Sequence, residues 1–413
     1  MLRAADARHA APSGRPARGR WLAAAAAVVL TSCAGPVARS GAGASPGATP
    51  VATRVALCRS ANPPPLSVAG PESPIIGGEL QAVAAVNTAD AWAVGDTNLA
   101  TSLIIHSDRG AWREVRTPIR HGGFDGVAAT SAADAWAVGS GPAPLIEHWN
   151  GSAWALVPVP GADGMALYGV AALSATSAWA VGEAHYGGTA VILRWDGTEW
   201  LRLASPATGA GSAQLLGVAA TSATDAWAVG NAGRAALIEH WDGARWTVVP
   251  SPAIPRGATL AGVAATAPAN AWAVGTLASG GALIEHWDGH AWALTPSPSL
   301  GQFGQLHGVT ALSPGSAWAV GGTLCAGRGG LRTVIEHWNG RDWRLVPSPA
   351  AGMLTGVSAA SDSSAWAVGF LSAGGSAVLE HWDGTAWTWP EGLCGSPTGA
   401  GCIAGTESTT PAR

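Results

Sequence analysis

The chain contains no lysine: all 22 basic residues among its 413 are arginine, set against 26 acidic residues for a formal net charge of −4. That balance leaves no basic stripe of the kind a nucleic-acid backbone requires, and no polybasic patch for an anionic membrane surface. Tyrosine is almost as scarce, with only Tyr168 and Tyr186. A glycosidase using a tyrosine nucleophile beside an arginine cluster therefore lacks its materials. So does a copper oxidase built from two tyrosines, two histidines and a modified cysteine. No Ser-His-Asp order, phosphate-binding glycine loop or zinc-ligand spacing occurs. The uninterrupted apolar run Trp21 to Leu30 is well short of the roughly 20 residues that span a bilayer.

What the chain has in quantity is tryptophan, 22 residues, of which 20 recur at fixed places in seven copies of one repeat over residues 78–390. The first anchor, Ala-Trp-Ala-Val-Gly, places Trp at 92, 136, 179, 227, 272, 318 and 366, a period of 43 to 48 residues. The second anchor reads Leu-Ile-Glu-His-Trp-Asp-Gly-x-x-Trp in its best copies, as from Leu237 to Trp246. This period is that of a four-stranded propeller blade. The expected fold is all-β: a seven-bladed β-propeller with four antiparallel strands per blade. In blade 4, strand a is Leu215 to Ala220, strand b Ala226 to Gly230 and strand c Leu237 to Trp241. Asp242-Gly243 makes a tight hairpin turn on the positive φ of glycine, and strand d runs from Trp246 to Pro250-Ser251-Pro252.

Alternation sets Trp and Val of strand b on one face and its alanines and glycine on the other, so adjacent blades can pack large against small. Most of the tryptophans are then core, and proline on the outermost strand discourages a further sheet from pairing there. Blade 1 is the degenerate copy, with Ser107 where the others have their second Trp. Because each blade brings its own four strands, closure needs no strand exchange.

Five Arg and one Asp precede the apolar run at Trp21, the arrangement of a secretory signal peptide. The following Leu30-Thr31-Ser32-Cys33 resembles the lipobox of bacterial lipoproteins, which implies cleavage before Cys33 and acylation of that cysteine. Ordinary cleavage near Ala34–Gly35 is the alternative. The expected organisation is therefore a signal peptide (1–32), an acylated Cys33 with an Ala/Gly/Ser/Pro-rich tether (33–77), the propeller (78–390) and a tail (391–413). The tether has too little apolar surface to fold. Cys58, Cys325, Cys394 and Cys402 remain as disulfide candidates in an exported chain. A clasp joining the tail to the tether or to the blade-6 loop and a local Cys394–Cys402 bridge are both open.

At the level of Asp-x-Trp-Ala-Val-Gly followed by an Asp-Gly turn and Trp, residues 78–390 resemble bacterial seven-bladed propellers of the WD-repeat/Asp-box-like group. The nearest pattern is that of the photosystem II stability/assembly-factor repeats; the Asp-box repeats of sialidases are more distant. Asp242 stands next to Gly243 instead of two residues before it, which departs from the Asp-box and argues against sialidase activity. The fold itself hosts binders and unrelated enzymes alike.

Glu-His recurs at 147–148, 239–240, 285–286, 336–337 and 380–381. Adjacent strand residues point to opposite faces and cannot chelate one ion together, so these pairs are expected to hydrogen-bond between blades. No metal or other cofactor is expected. One position behaves differently from its repeating neighbours: the residue after the strand-a Leu is Gln81, Asp125, Tyr168, Leu216, Ala261, His307 and Thr355. These would ring the mouth of the central channel on the face carrying the b–c and d–a loops, whose lengths vary. Tyr186, His185, Arg328 and Arg332 in b–c loops of that face are secondary candidates. The functional expectation is a lipid-anchored, extracytoplasmic, monomeric binding or scaffolding module on the bacterial cell surface, with a glycan or an exported protein as its ligand. The alternative is a carbohydrate-active hydrolase or lyase at the channel mouth.

Overall fold

The structure is a computed structural model that describes residues 77–390 apart from 120, 162–163, 185–187, 208–210, 299, 301–302, 325–329 and 372–375. Cys33, Cys58, Cys325, Cys394, Cys402, His185, Tyr186 and Arg328 lie outside the described residues. Every element among the described residues is a strand, and the strands fall into seven sheets of four consecutive antiparallel strands each. In blade 4 these are strand a Ala213–Ser222, b Asp225–Ala232, c Ala235–Trp241 and d Trp246–Val248. The seven a strands are Glu79–Asn87, Gly123–Ser131, Met165–Ser174, Ala213–Ser222, Ala258–Ala267, Gln305–Ser313 and Gly352–Ser361. Each a strand contacts the next, and the last contacts the first, so they form the inner wall of a closed ring. The chain is a seven-bladed β-propeller.

The large-against-small expectation holds at the blade interfaces. Trp179 and Val181 of blade 3 pack with Leu215, Ala226 and Ala228 of blade 4 in one buried cluster, and six further clusters repeat the arrangement around the ring. The b-strand Trp of one blade forms a T-shaped pair with the d-strand Trp of the next, as Trp227 does with Trp292 at 5.2 Å between ring centroids and 88° between planes. That geometry sets the positive edge of one ring on the negative face of the other. Both rings are buried and neither indole N–H finds a hydrogen-bond acceptor, which this edge-to-face contact partly offsets.

Three local expectations are corrected. The c–d connection is a four-residue loop, Asp242 to Arg245, and only its glycine is left-handed, with Gly243 at φ 94°. Its aspartate works through its side chain, accepting the N–H groups of Ala244 and Arg245 at 2.8 and 2.9 Å. Strand d is shorter than expected because its last ladder bond is Val249 N–H to Ile238 O, and Pro250 has no N–H with which to continue. Strands b and c run further than the repeat core suggests: in blade 6 they reach Leu324 and restart at Leu331, so Arg332 belongs to strand c and not to a loop.

Closure uses no shared strand. Between blades 7 and 1 the Thr355 hydroxyl donates to Leu80 O at 2.8 Å, the Ala85 N–H donates to Ser358 Oγ at 3.0 Å, and Gly77 makes a single antiparallel bridge with Ser376. Ser107, where the other blades carry a half-buried or buried Trp, is fully buried in this seam.

Candidate functional site

The seven non-repeating residues of strand a share a structural cause. Each sits where the pairing of strand a with strand b slips by one residue: the ladder passes from Leu80 to Ala82, Phe124 to Gly126, Leu167 to Gly169, Leu215 to Gly217, Leu260 to Gly262, Leu306 to Gly308 and Leu354 to Gly356. Gln81, Asp125, Tyr168, Leu216, Ala261, His307 and Thr355 are therefore β-bulge residues, which leave the ladder and take a new side-chain direction. The glycine that follows explains why the bulges meet. A Cβ on Gly126 would lie 3.0 Å from Tyr168 O, one on Gly217 3.1 Å from Ala261 O, and one on Gly262 2.9 Å from His307 O. Neighbouring inner strands thus touch backbone to backbone, and the bulge carbonyls form a tight ring about the axis.

Around this ring the side chains are half-buried, except Tyr168, which is 8% exposed. Two are engaged in ways that identify their work. The Tyr168 hydroxyl donates to Glu183 Oε1 at 2.7 Å within blade 3, and Thr355 is committed to the closing seam. Gln81 donates to Glu79 Oε2 at 3.3 Å. The paired positions just before the bulge do not repeat either: Glu79 lies opposite Asp96, Ala166 opposite Glu183, Gln214 opposite Asn231 and Thr259 opposite Thr276. Gln214 donates to Asn231 Oδ1 at 2.8 Å, and Asn231 to Gly233 O at 3.0 Å. The loop-bearing end of the inner wall thus differs in every blade, with carboxylates on blades 1 to 3, amides, hydroxyls and His307 on blades 4 to 6, and Met353 opposite Phe370 beside Thr355 on blade 7. These neighbours escaped sequence reasoning because they lie outside the Leu-x-Gly-Val frame; their signal is the same failure to repeat. On the same face Leu99 stands 85% exposed in the b–c loop of blade 1.

The Glu-His pairs divide their work: the Glu bonds between blades as expected, whereas the His bonds within its own blade. Each His packs on the b-strand Trp of its own blade, as His148 does on Trp136 at 4.1 Å, and its Nε2 meets a polar residue at the start of strand b. His148 to Asp134 and His240 to Asp225 are both 2.7 Å, and Thr130 and Thr221 hydrogen-bond to the other oxygen of those aspartates. His286 meets Asn270 in the same way at 2.8 Å. Blade 3 replaces His with Arg194, whose guanidinium lies over Trp179 and, across the interface, Trp241, at 5.5 and 5.8 Å.

Each Glu crosses to the preceding blade. Its Oε1 accepts a hydroxyl that stands five residues after that blade's d-strand Trp: Thr117 to Glu147 at 2.5 Å, Ser205 to Glu239 at 2.7 Å, Ser251 to Glu285 at 2.9 Å, Ser297 to Glu336 at 2.8 Å and Ser348 to Glu380 at 2.8 Å. The Ser of Pro-Ser-Pro is thus a clamp between blades, a role that edge protection alone does not capture. Where the Glu is missing its partner is missing too. Leu193 of blade 3 faces a blade whose corresponding residue is Val159, and both join one apolar cluster. Ile105 of blade 1 follows a blade 7 with Gly392 at that position.

All five glutamates are buried, and each Oε2 makes no hydrogen bond. Burial pushes the carboxyl of Glu336 up to about 8 and those of Glu147, Glu285 and Glu380 up to about 7; Glu239 is raised by the same cause. These five sit one per blade interface, on the third strand from the axis. Among the described residues no three His, Cys, Asp or Glu come together as a group able to hold a metal ion.

The fold defines the class, a seven-bladed β-propeller. No protein-family model matches the sequence, and no curated protein matches it either. Solved propellers do. The photosystem II assembly factor YCF48, solved bound to D1 peptide, is 17% identical, over 75% of this chain and 92% of that one, with a TM-score of 0.52. The GH74 xyloglucanase of Xanthomonas campestris is 12% identical over 76% of this chain, with a TM-score of 0.55; this chain spans 54% of its length. The U3-55K propeller is 12% identical over 73% of this chain and 95% of that one, at 0.52. At these identities the likeness establishes the fold.

Proposed function

We propose that the chain is an extracytoplasmic binding module, held at the membrane by a lipid on Cys33, that takes its ligand on the loop-bearing face around the bulge ring. The observation that carries this reading is the ring itself. In a repeat whose core residues scarcely vary, the bulge and its paired neighbours differ in every blade and are gathered at one end of the inner wall. A propeller needs no such diversity to fold, since alanine suffices at position 261. An exported protein segment and a cell-surface glycan both suit a wall of mixed carboxylates, amides and hydroxyls. The exposed Leu99 on the same face adds an apolar contact suited to a protein. YCF48 with its D1 peptide supplies a propeller of this type that holds a peptide.

The hydrolase or lyase reading has less to rest on. A catalytic pair would bring a carboxyl with a raised pKa into the channel mouth. The five carboxyls that burial raises between blades each face a serine or threonine, a packing role that supplies no such pair.

The test is a binding screen of the oxidised full chain against glycan arrays and against surface proteins of its own cell. A ligand lost when Asp125, Tyr168 and His307 are changed together to Ala, with cooperative unfolding retained, supports the reading. A ligand that binds the triple variant unchanged removes the bulge ring from the site. Anchoring is tested separately: a Cys33→Ser chain should leave the membrane fraction, and its retention there would contradict the lipid anchor.

A further inference from the structure

We infer that the five inter-blade glutamates are neutral carboxylic acids in the folded ring, and that their ionisation as pH rises through neutrality loosens the propeller, making the fold a device that is tight in mildly acidic surroundings. The geometry carries this. Glu147, Glu239, Glu285, Glu336 and Glu380 are each 0% exposed. Oε1 accepts one hydroxyl, Glu147, Glu239 and Glu380 each take one further backbone N–H, and Oε2 has no hydrogen bond. A carboxylate has about four lone-pair sites to satisfy, and one or two neutral donors in a dry interface do not compensate an ionised group.

Among the described residues, no charge faces these groups. Across the sheet their strand-b partners are Ala137, Ala228, Ala273, Ala319 and Ala367. On strand d, Leu156, Val248, Leu294 and Leu345 oppose the first four. Among the described residues, the preceding blade offers the serine or threonine hydroxyl and, at Glu147, Glu239 and Glu380, the backbone N–H groups of Ile119, Ala207 and Ala350. The adjacent histidines lie on the opposite face of strand c, against their own blade's tryptophan. The chain's own substitution agrees: at the blade 2–3 interface the pair is Val159 and Leu193, so an uncharged filling suits the site.

The sign follows from linkage. A carboxyl held above its unfolded value near 4.5 keeps its proton in the folded state while the unfolded chain loses it, so stability falls as pH rises between 4.5 and about 7 to 8. His286, His337 and His381 act oppositely: burial lowers them, so they cost stability as pH falls below about 6.5. Their opposing effect fades over about the next pH unit as the unfolded histidines lose their protons.

The experiment is thermal unfolding of the full chain from pH 6.5 to 8.5, beside a variant carrying Glu285→Gln, Glu336→Gln and Glu380→Gln. Glutamine keeps the serine hydrogen bond and cannot ionise. The expected result is a melting temperature that falls with pH in the parent and by less than half as much in the variant. A parent that is flat or rises over this range would overturn the inference, as would a variant with the parent's slope. Should the variant not fold, infrared spectroscopy of the parent at pH 6.5 decides. The carbonyl stretch of protonated carboxyls should be present and disappear by pH 8.5, and its absence at pH 6.5 would equally overturn the inference.

Discussion

Six of the seven blades carry glycine immediately after the bulge, and the reason is the neighbouring backbone. At Gly262 an added Cβ would stand 2.9 Å from His307 O, closer than real Cβ atoms approach. Gly262→Ala should therefore destabilise the fold by about 1–3 kcal/mol, the usual cost of forcing a methyl into a filled core, read as a lowered urea midpoint with an unchanged slope. Blade 1 already has Ala82 at this place, so Ala82→Gly should cost no more than about 1 kcal/mol through backbone entropy. Equal effects at the two positions would contradict the close-approach account. Arg194 also acts through its immediate neighbours. It replaces the usual His and spans Trp179 and Trp241, so Arg194→Ala should cost roughly 0.5–2 kcal/mol as a lost cation–π contact.

Between elements, the hydroxyl–glutamate clamp is the unit that ties blade to blade. Ser251→Ala would leave both oxygens of the buried Glu285 without a partner and should cost about 1–3 kcal/mol. Ser251→Val with Glu285→Leu, which copies Val159 and Leu193, should recover most of that loss in denaturant unfolding. A double variant as unstable as the sum of its parts would show that the clamp is not a replaceable pair. The clamp also marks where the sequence was legible and where it was not. The repeat period, the Trp and Ala alternation and the Asp-Gly turns disclose the blade, because each follows from short-range pattern. That Glu would cross between blades was readable from its opposition to His, but its partner was not. Ser251 is 34 residues from Glu285, and its flanking prolines point first to an edge. The loss of serine and glutamate together at blades 2–3 was the available signal. The bulges were hidden for a different reason, since a one-residue slip in pairing leaves no mark on periodicity beyond one position that fails to repeat.

For the whole molecule, the seven interfaces are not equal. The seam between blades 7 and 1 has Ile105 in place of the glutamate and Ser107 in place of a tryptophan. It is held instead by hydrogen bonds from Thr355 and to Ser358. Strands Glu79–Asn87 and Gly352–Ser361 should accordingly be the first inner strands to exchange their amide hydrogens, and Thr355→Val with Ser358→Ala should speed them further; slower exchange there than at blades 3 to 5 would contradict this. Ligand binding across the loop-bearing face would bridge that seam. The central claim is that the ligand is held there, and the most direct measurement is the dissociation constant of the ligand found by screening, for two variant sets. One set changes Asp125, Tyr168 and His307 at the bulge ring; the other changes Asp196, Thr198 and Arg245 in the c–d turns of the opposite face. The account expects at least a tenfold loss, about 1.4 kcal/mol, for the first set and no change for the second. The reverse pattern would place the site on the wrong side of the ring and contradict the account.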